Sequence, residues 1–273
     1  MADASNQTKV LTVRYRAWNG APRTAYVQMP RDVVPHHAPP LPLVISPHGR
    51  NVSALANAGY WGNLPAQGRF AVVNPMGQGR KLKLCSWGWR HHIDDLLRMP
   101  KIVEATLPWF NVDERRIFVL GSSMGGQETL LVVARQPRWL RGAAALDSAT
   151  DMPRRYHDFA LLSNGRDLQR KAREEIGGTP ATNPVGYALR SPVAWSRKIA
   201  FSGIPLQIWW STADQIVRNQ DRQSQALYDR ILHLNPRAEV RKVVGDWPHS
   251  HEMRATQLLP QALRDFGLLP PEV

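Results

Sequence analysis

Two kinds of hydrophobic pattern divide this chain. Near its start, apolar and polar residues alternate at Leu11, Val13 and Tyr15 and again over 25–29, on either side of an Asn19-Gly20 turn. This pattern predicts two strands joined as a hairpin. Further along, short continuous apolar runs are typical of strands buried on both faces of a parallel sheet. These runs are residues 43–45, 70–73, 117–120, 143–146, 206–210 and 240–244.

Segments with apolar residues at helical spacing lie between the runs, at 93–107, 127–135, 220–233 and 252–266. Pro100 should kink or break the first of these helices. The Pro-rich stretch 35–42 predicts an exposed loop, because prolines cannot donate to a strand ladder. Strands that alternate with helices predict an α/β fold with a mostly parallel central sheet and helices on both faces.

One segment, residues 151–200, is longer than a simple crossover between two strands requires. It combines a charged helical stretch at 166–176 with Gly177-Gly178 and several prolines. We expect a cap or lid insertion at about 151–200, over the strand ends, within a single domain spanning 1–273. The chain has no internal repeat and no linker that would divide it.

Composition narrows the class of protein. Hydrophobic residues make up 43% of the chain and charged residues 21%, as in globular proteins. No apolar run approaches the roughly 18 residues of a membrane span, and residues 1–9 lack the apolar stretch of a signal peptide. A cytoplasmic protein is therefore expected, with secretion as the alternative if a signal peptide has been removed. Cys85 is the only cysteine, which excludes an internal disulfide, and we expect it to be structural.

The net charge of +13 raises the question of nucleic acid. Most of the basic residues are arginines scattered along the chain, and no recognisable nucleic-acid-binding motif accompanies them. A nucleic-acid partner is therefore not expected. Attraction to anionic substrates or surfaces stays open.

The strongest chemical signal is a glycine-bracketed serine after the 117–120 run. It reads Gly121-Ser122-Ser123-Met124-Gly125, followed by Gly126, and fits G-x-S-x-G between a strand and a helix. A nucleophilic serine must stand on a strained turn with its hydroxyl exposed. Side chains two positions away on either side would clash there, so this spacing selects Ser123 rather than Ser122.

Such a serine needs two backbone donors for the developing oxyanion. One is the N–H of Met124, directly after the nucleophile. The other should come from the loop after an earlier strand, and the 43–45 run leads into His48-Gly49-Arg50-Asn51. The N–H of Arg50 is the predicted second donor, although a simple turn would have a similar sequence.

The acid and the base should follow later strands, in the order serine, acid, histidine. The 206–210 run leads to Asp214, with Asp221 as a weaker alternative inside the expected helix. The last run leads to His249 and His251. We favour His249 as the base because it lies closer to the strand, while His251 should begin the final helix; the choice between them stays open.

Other histidines have simpler interpretations. His36-His37 lies in the Pro-rich loop, and His91-His92 precedes Asp94-Asp95. A metal site needs three or four converging ligands, which adjacent histidines rarely supply, so no metal is expected. A group formed by His249 and His251 with Asp94 or Asp95 could resemble a metal site. Trp87 and Trp89 could equally line a substrate pocket or pack in the core.

These motifs together resemble the α/β-hydrolase superfamily over nearly the whole chain. The stretch 85–89 with Asp94-Asp95 is similar to an element of polyhydroxybutyrate-depolymerase-like and feruloyl-esterase-like enzymes, whereas Arg190-Ser191-Pro192 and Gly203-Ile204-Pro205 look more like prolyl-oligopeptidase-family hydrolases. Residues 111–119 resemble the approach to the serine in both groups. One departure is that 47–49 lacks the extra glycines of the lipase-type oxyanion loop.

The resemblance implies a serine hydrolase with nucleophile, acid and base at Ser123, Asp214 and His249. The leading hypothesis is hydrolysis of a small-molecule or polymer ester through an acyl-enzyme, with no cofactor. A peptidase or amidase with the same residues is the alternative within enzymes. A non-catalytic binding protein on the same fold is the alternative from another class.

Overall fold

Eight strands form one sheet in the computed structural model, which describes residues 7–35 and 39–271. The strands are β1 (Thr8–Arg16), β2 (Pro22–Pro30), β3 (Leu41–Ile45), β4 (Ala71–Pro75), β5 (Val112–Ser122), β6 (Leu140–Leu146), β7 (Leu206–Ser211) and β8 (Val240–Gly245). Their order is β1-β2-β4-β3-β5-β6-β7-β8. The first two strands form the expected antiparallel hairpin, β2 pairs antiparallel with β4, and the pairings from β4 to β8 are parallel.

Helices cover both faces of this sheet. In chain order they are α1 (Ala54–Gly59), α2 (Leu64–Gly68), α3 (Arg90–Thr106), α4 (Met124–Ala134), α5 (Met152–Asp158), α6 (Gly165–Ala172), α7 (Pro184–Leu189), α8 (Ser196–Ala200), α9 (Ser224–Leu234) and α10 (Leu259–Asp265). One core lies between the sheet and α3, α4, α8 and α9, and contains Leu96 and Leu227. A second core on the opposite face contains Trp61 and Leu263. The continuous apolar runs are explained by these two cores, since β3, β4 and β7 are buried along their whole length. The expectation was wrong for 240–244, which includes Arg241 and Lys242: β8 lies at the edge of the sheet and has no fully buried residue.

Two prolines lie inside regular elements. The structure keeps α3 unbroken through Pro100, because Leu96, Met99 and Val103 of the same helix are buried against the sheet and offset the lost hydrogen bond. The stretch 35–42 is not a loop throughout, since β3 already includes the buried Pro42. The register of β3 against β5 shifts at this proline, where an irregular ladder tolerates a missing N–H. His36 and His37 lie outside the described residues.

The final helix is shorter than the predicted 252–266 and begins only at Leu259. Residues 249–258 form turns, in which the Ala255 N–H donates to the Tyr60 carbonyl at 2.8 Å instead of to its own helix. Pro260 explains the start of α10, because proline fits the first helical turn but not a helix interior. The expected helix at 220–233 is likewise replaced by a short 3₁₀ turn at Gln220–Arg222 followed by α9.

The residues between β6 and β7 form short helices, α5 to α8, instead of one crossover helix. Buried side chains of α5, α6 and α7 share a third hydrophobic cluster with Trp87 and Met124, beside the end of β5, whereas those of α8 belong to the first core. Glu175 ties this segment to the loop after β4. Its carboxylate is fully buried and accepts from the backbone of Arg80 and Lys81 at 2.6 and 2.8 Å, and its Oε1 lies 3.2 Å from Arg190 Nη1.

Helices long and apolar enough to cross a bilayer do not occur within 7–35 and 39–271.

Candidate active site

Ser123 lies at the junction of β5 and α4, in a conformation that side chains rarely adopt. Its φ of 59° and ψ of −121° fall outside the regions that L residues favour. The position is fixed from the sheet, since the Ser123 N–H donates to the Leu146 carbonyl of β6 at 2.8 Å. Its side chain lines a cavity beyond the strand ends. The strand, sharp turn and helix expected around this serine are all present.

The glycines beside Ser123 are required by close backbone approach. A Cβ on Gly121 would lie 2.6 Å from the carbonyl carbon of Gly125, and one on Gly125 would collide with the Pro47 carbonyl oxygen. Real Cβ atoms do not approach other atoms so closely. Both glycines therefore let the start of α4 pack tightly against β5 and the loop after β3, as the spacing of the motif predicts.

Asp214 and His249 meet at the ends of β7 and β8. His249 Nδ1 lies 2.8 Å from Asp214 Oδ2. Because an ionised carboxylate only accepts, Nδ1 is the donor and the Nε2 lone pair is left for another partner. The other oxygen, Asp214 Oδ1, accepts from the backbone of Ile216 and Val217 at 2.8 and 2.9 Å. Asp214 is 5% exposed, so its orientation is fixed on both sides.

The alternative residues lie elsewhere. The side chain of Asp221 is 72% exposed and pairs with Arg222 at the surface. His251 is part of the turns before α10 and does not line the cavity with Ser123, whereas His249 does. The structure thus brings Ser123, Asp214 and His249 to one place and leaves Asp221 and His251 out of it.

The loop after β3 borders the same cavity. Gly49 lies next to Ser123, since a Cβ on it would be 3.8 Å from the serine Cβ. In the described turns, loops and helix caps, the N–H groups of Arg50 and Met124 are not used in backbone hydrogen bonds. Both residues line the cavity of about 240 Å³, together with Ser123 and His249.

His48 fixes this loop, a role that the sequence does not indicate. Its Nε2 accepts from the Gly77 N–H at 2.8 Å, so its Nδ1 donates to the Gly49 carbonyl at 2.7 Å. Burial lowers the pKa of His48, which favours the neutral ring that this pattern requires. This hydrogen bond holds the Gly49 carbonyl against the His48 ring. Its position three residues after the end of β3, in the predicted oxyanion loop, is the sequence signal that could have suggested this role.

Two further carboxyl groups support the His249 turn. Asp147, at the end of β6, accepts from the Ser250 N–H at 2.9 Å and from Trp247 Nε1 at 3.2 Å. Glu252 is buried beside it, and burial together with the charge of Asp147 raises the pKa of Glu252 to about 10. Burial and the charge of Asp214 raise the pKa of Asp147 as well, but the N–H groups that donate to it favour its carboxylate form, so we assign the proton of this pair to Glu252. Sequence analysis missed both residues, because only the tertiary fold brings them together.

One group of potential metal ligands converges among the described residues: Asp147, Asp214 and His249. Hydrogen bonds within the protein already engage these atoms, as His249 Nδ1 binds Asp214 and Asp147 binds backbone N–H groups. The alternative group of metal ligands, His249 and His251 with Asp94 or Asp95, does not come together among the described residues. Asp94 contacts Arg135 and Asp95 contacts Arg98.

The two tryptophans and the cysteine lie in different environments. Trp87 is 4% exposed and lines the cavity, whereas Trp89 contacts the rings of Trp18 and His91 instead. Cys85 is buried in the cluster beside Trp87, and burial raises the pKa of its thiol to about 12. A thiol held protonated in this way is a poor nucleophile, which agrees with a structural role.

Comparisons with known proteins define the fold. No protein-family model and no curated protein matches this sequence. Solved structures match over nearly the whole chain. A Rhizomucor miehei esterase has 13% identity and a TM-score of 0.72, covering 96% of this chain and 85% of its own. A thermostable esterase from Pseudomonas putida has 19% identity and a TM-score of 0.68, covering 100% of this chain and 86% of its own.

A third structure belongs to a larger enzyme. Dipeptidyl peptidase 4 from Porphyromonas gingivalis has 17% identity and a TM-score of 0.69, and the match covers 96% of this chain but 35% of that one. The strand order and these matches show that the chain has the α/β-hydrolase fold. Identities this low show the fold and leave the activity to be argued from the site.

Proposed function

We propose that this protein is a serine hydrolase that cleaves carboxylic esters through an acyl-enzyme. The observation that carries the proposal is that the strained Ser123 turn shares one cavity with a His249 whose Nδ1 is bound by the buried Asp214. These are the nucleophile, the base and the orienting acid of a serine triad. The fold neighbours whose names describe esterases add support.

In the proposed reaction, His249 Nε2 takes the proton of the Ser123 hydroxyl as Ser123 Oγ bonds to the ester carbonyl carbon. The carbonyl oxygen becomes an oxyanion, which the N–H groups of Met124 and Arg50 stabilise. When the intermediate collapses, the carbon–oxygen bond to the alcohol breaks and His249 gives its proton to that alcohol. Water then repeats the sequence on the acyl-enzyme, releasing the acid and restoring Ser123.

Asp214 positions the His249 ring in both halves of the proposed reaction. Its carboxylate keeps the proton of the neutral imidazole on Nδ1, so that Nε2 faces the serine, and stabilises the imidazolium that forms. Asp147 contributes indirectly, because it binds the Ser250 N–H next to His249. We further propose that the 151–200 segment is a cap within a single domain. The third hydrophobic cluster, which joins this segment to Met124, supports that assignment.

Labelling with a fluorophosphonate probe tests the triad. We expect the wild-type protein to be labelled at Ser123, and Ser123→Ala to lose both labelling and ester turnover with an unchanged melting temperature. Asp214→Asn should lower kcat on the order of 10⁴-fold, because an amide in that place favours the wrong imidazole tautomer. His249→Ala should abolish the rise in rate near neutral pH.

Matched controls exist for the acid and the base. Asp221→Asn and His251→Ala change the same residue types at places outside the cavity, and we expect both to keep most of the activity. Full activity in Ser123→Ala would remove the nucleophile from the mechanism. A dead His251→Ala beside an active His249→Ala would reverse the assignment of the base.

A peptidase or amidase is the second candidate, because the fold neighbour from P. gingivalis is a dipeptidyl peptidase. The two candidates share all three triad residues and differ in the leaving group. A panel of matched ester and aminoacyl-amide substrates separates them: we expect ester turnover to exceed amide turnover. Faster cleavage of the amides would favour the peptidase.

A further inference from the structure

Arg155 is a buried arginine with an unsatisfied donor at the proposed active site. It belongs to α5, is 4% exposed, and lines the cavity that contains Ser123 and His249. Its Nη1 has no hydrogen-bond partner among the described residues. Its guanidinium carbon lies 4.5 Å from the centre of the Phe159 ring, a contact that leaves the N–H groups available. Burying a charged donor without a partner costs free energy, so an explanation is required.

The charge around Arg155 is not balanced within the cavity. Arg50 and Arg254 line it too, and none of its lining residues is an aspartate or a glutamate. Burial lowers the pKa of Arg155 to about 10, and the charge of Arg50 acts in the same direction, whereas the charges of Asp214 and Asp158 raise it. Arg155 still carries its charge at neutral pH. The cavity is therefore a positively charged site beside an uncharged nucleophile.

The two acids whose charges act on Arg155 are wholly or partly engaged by other residues. Asp214 Oδ2 binds His249, and Asp158 Oδ1 accepts from Asn219 Nδ2 at 2.8 Å. The remaining oxygen of Asp158, Oδ2, is buried without a partner, so an ion pair with Asp158 is the competing explanation for Arg155. That explanation predicts a role in stability and none in substrate choice.

We infer that the substrate carries a carboxylate or phosphate group, which binds Arg155 while Ser123 attacks the ester. The inference rests on the proposed function and specifies its substrate class. A planar guanidinium presents paired N–H donors that match the two oxygens of such an anion. The anion supplies the missing partner of Nη1, and Arg50 lies at the same cavity to share its charge. Trp87, Ile216 and Val217 supply apolar surface for the rest of the substrate.

Anion binding is measured first without catalysis. Isothermal titration calorimetry on the Ser123→Ala protein uses glutarate, inorganic phosphate and, as the uncharged control, glutaramide. We expect one of the two anions to bind at least tenfold more tightly than glutaramide. The anion that binds more tightly shows whether the site prefers a carboxylate or a phosphate. Adding Arg155→Met should remove that preference. Adding Arg154→Met, a matched change at the exposed next residue of α5, should keep it.

Equal binding of anions and glutaramide, or equal binding by the Arg155 and Arg154 variants, would overturn the inference. Melting temperatures separate it from the structural explanation. Removing an unpaired buried charge should leave the melting temperature of Arg155→Met unchanged or raised. A lowered melting temperature together with unchanged anion binding would assign Arg155 to an ion pair with Asp158. Arg155→Lys keeps a charge at this place and should retain part of the anion preference.

Turnover then links the anion site to the chemistry. Mono-p-nitrophenyl glutarate and its methyl ester share the p-nitrophenyl leaving group and differ at the distant group, which is a carboxylate in one and an uncharged methyl ester in the other. We expect kcat/KM to favour the anionic ester, and the ratio of the two values to fall at least tenfold in Arg155→Met. Fluorophosphonate labelling without any anionic preference would leave the serine hydrolase standing and refute the inference. Anion binding that depends on Arg155 in a protein that is never labelled would refute the proposed chemistry instead.

Discussion

At the scale of single residues, the Asp147–Glu252 pair holds a proton that has no role in the proposed reaction. Asp147 binds three N–H groups, those of Ser211 and Ser250 in the backbone and that of Trp247 in its side chain. Glu252 is 1% exposed and faces this carboxylate, and Ser122 Oγ contacts it at 3.3 Å. Ionising Glu252 would place two buried negative charges side by side. The turn that holds His249 therefore depends on a protonated glutamic acid.

This pair makes stability fall with rising pH. The folded-state pKa of Glu252 lies above the ordinary value of 4.5, so the folded state keeps a proton that the unfolded chain releases. The free energy of unfolding should then decrease above pH 4.5 by up to about 1.4 kcal/mol per pH unit from this group. Glu252→Gln stays neutral and can still donate to Asp147. Urea unfolding at pH 6 and pH 9 should show a smaller loss in this variant than in the wild type.

The exposed Glu239 provides the control, because Glu239→Gln removes a carboxyl group that is not buried. Its loss of stability between the two pH values should match that of the wild type. Identical losses in Glu252→Gln and the wild type would mean that Glu252 is ionised in the folded protein.

Candidate site residues that a local motif marks could be placed from the sequence, whereas those that depend on burial could not. Ser123 was predictable because the glycine requirement is encoded within five residues. Asp214 and His249 followed from the expected strand ends, and the structure brings them within 2.8 Å of each other. Arg155 looks like any other surface arginine in this Arg-rich chain. Its burial results from the packing of α5, which no local pattern specifies.

At the scale of elements, Glu175 is the main polar connection between the 151–200 segment and the rest of the fold. It lies in a short π-helical turn at Arg173–Gly177 and binds both the loop after β4 and Arg190. Arg190 in turn donates to the Ser86 carbonyl at 2.5 Å. The segment that carries Arg155 is thus fixed to the loop that carries Trp87.

Breaking this buried pair should be costly. Glu175→Gln leaves Arg190 charged and buried with a weaker partner, so we expect the free energy of unfolding to fall by about 3–5 kcal/mol. Urea unfolding measures this loss. Glu174→Gln changes the adjacent, exposed carboxylate, which pairs with Arg170 at 3.6 Å, and should cost less than about 1 kcal/mol. Comparable losses in both variants would show that Glu175 contributes no more than a surface charge.

Strands were easier to predict than helices, for a physical reason. A strand buried on both faces needs a continuous apolar run, and each predicted run lies in or overlaps an observed strand. Helical spacing is less specific. The apolar residues at 252–258 fit a helix, yet Glu252 and Met253 are both buried by turns and Ala255 bonds to Tyr60. Such contacts with distant parts of the chain decide the outcome and leave no periodic pattern.

At the scale of the whole molecule, the excess of 35 basic over 22 acidic residues acts on any charged substrate. A protein of this charge attracts anions over distances that salt shortens. For mono-p-nitrophenyl glutarate, kcat/KM should fall as NaCl is raised from about 0.02 M to about 0.5 M, while for its uncharged methyl ester it should stay nearly constant. Stopped-flow or steady-state assays at matched pH measure both. Parallel salt curves would show that the net charge does not guide the substrate.

The order of strands in the sheet also bears on when activity first arises during synthesis. The ribosome completes β5 and the Ser123 turn well before it makes β7, β8 and the turn that follows them. A partly made chain can therefore contain the proposed nucleophile without its base, because His249 reaches the cavity only after β8 has joined the edge of the sheet. If Ser123 is the nucleophile, we expect nascent chains that end before β8 to escape fluorophosphonate labelling. The moment at which Ser123 becomes labelled would then report when the last strand, β8, joins the sheet.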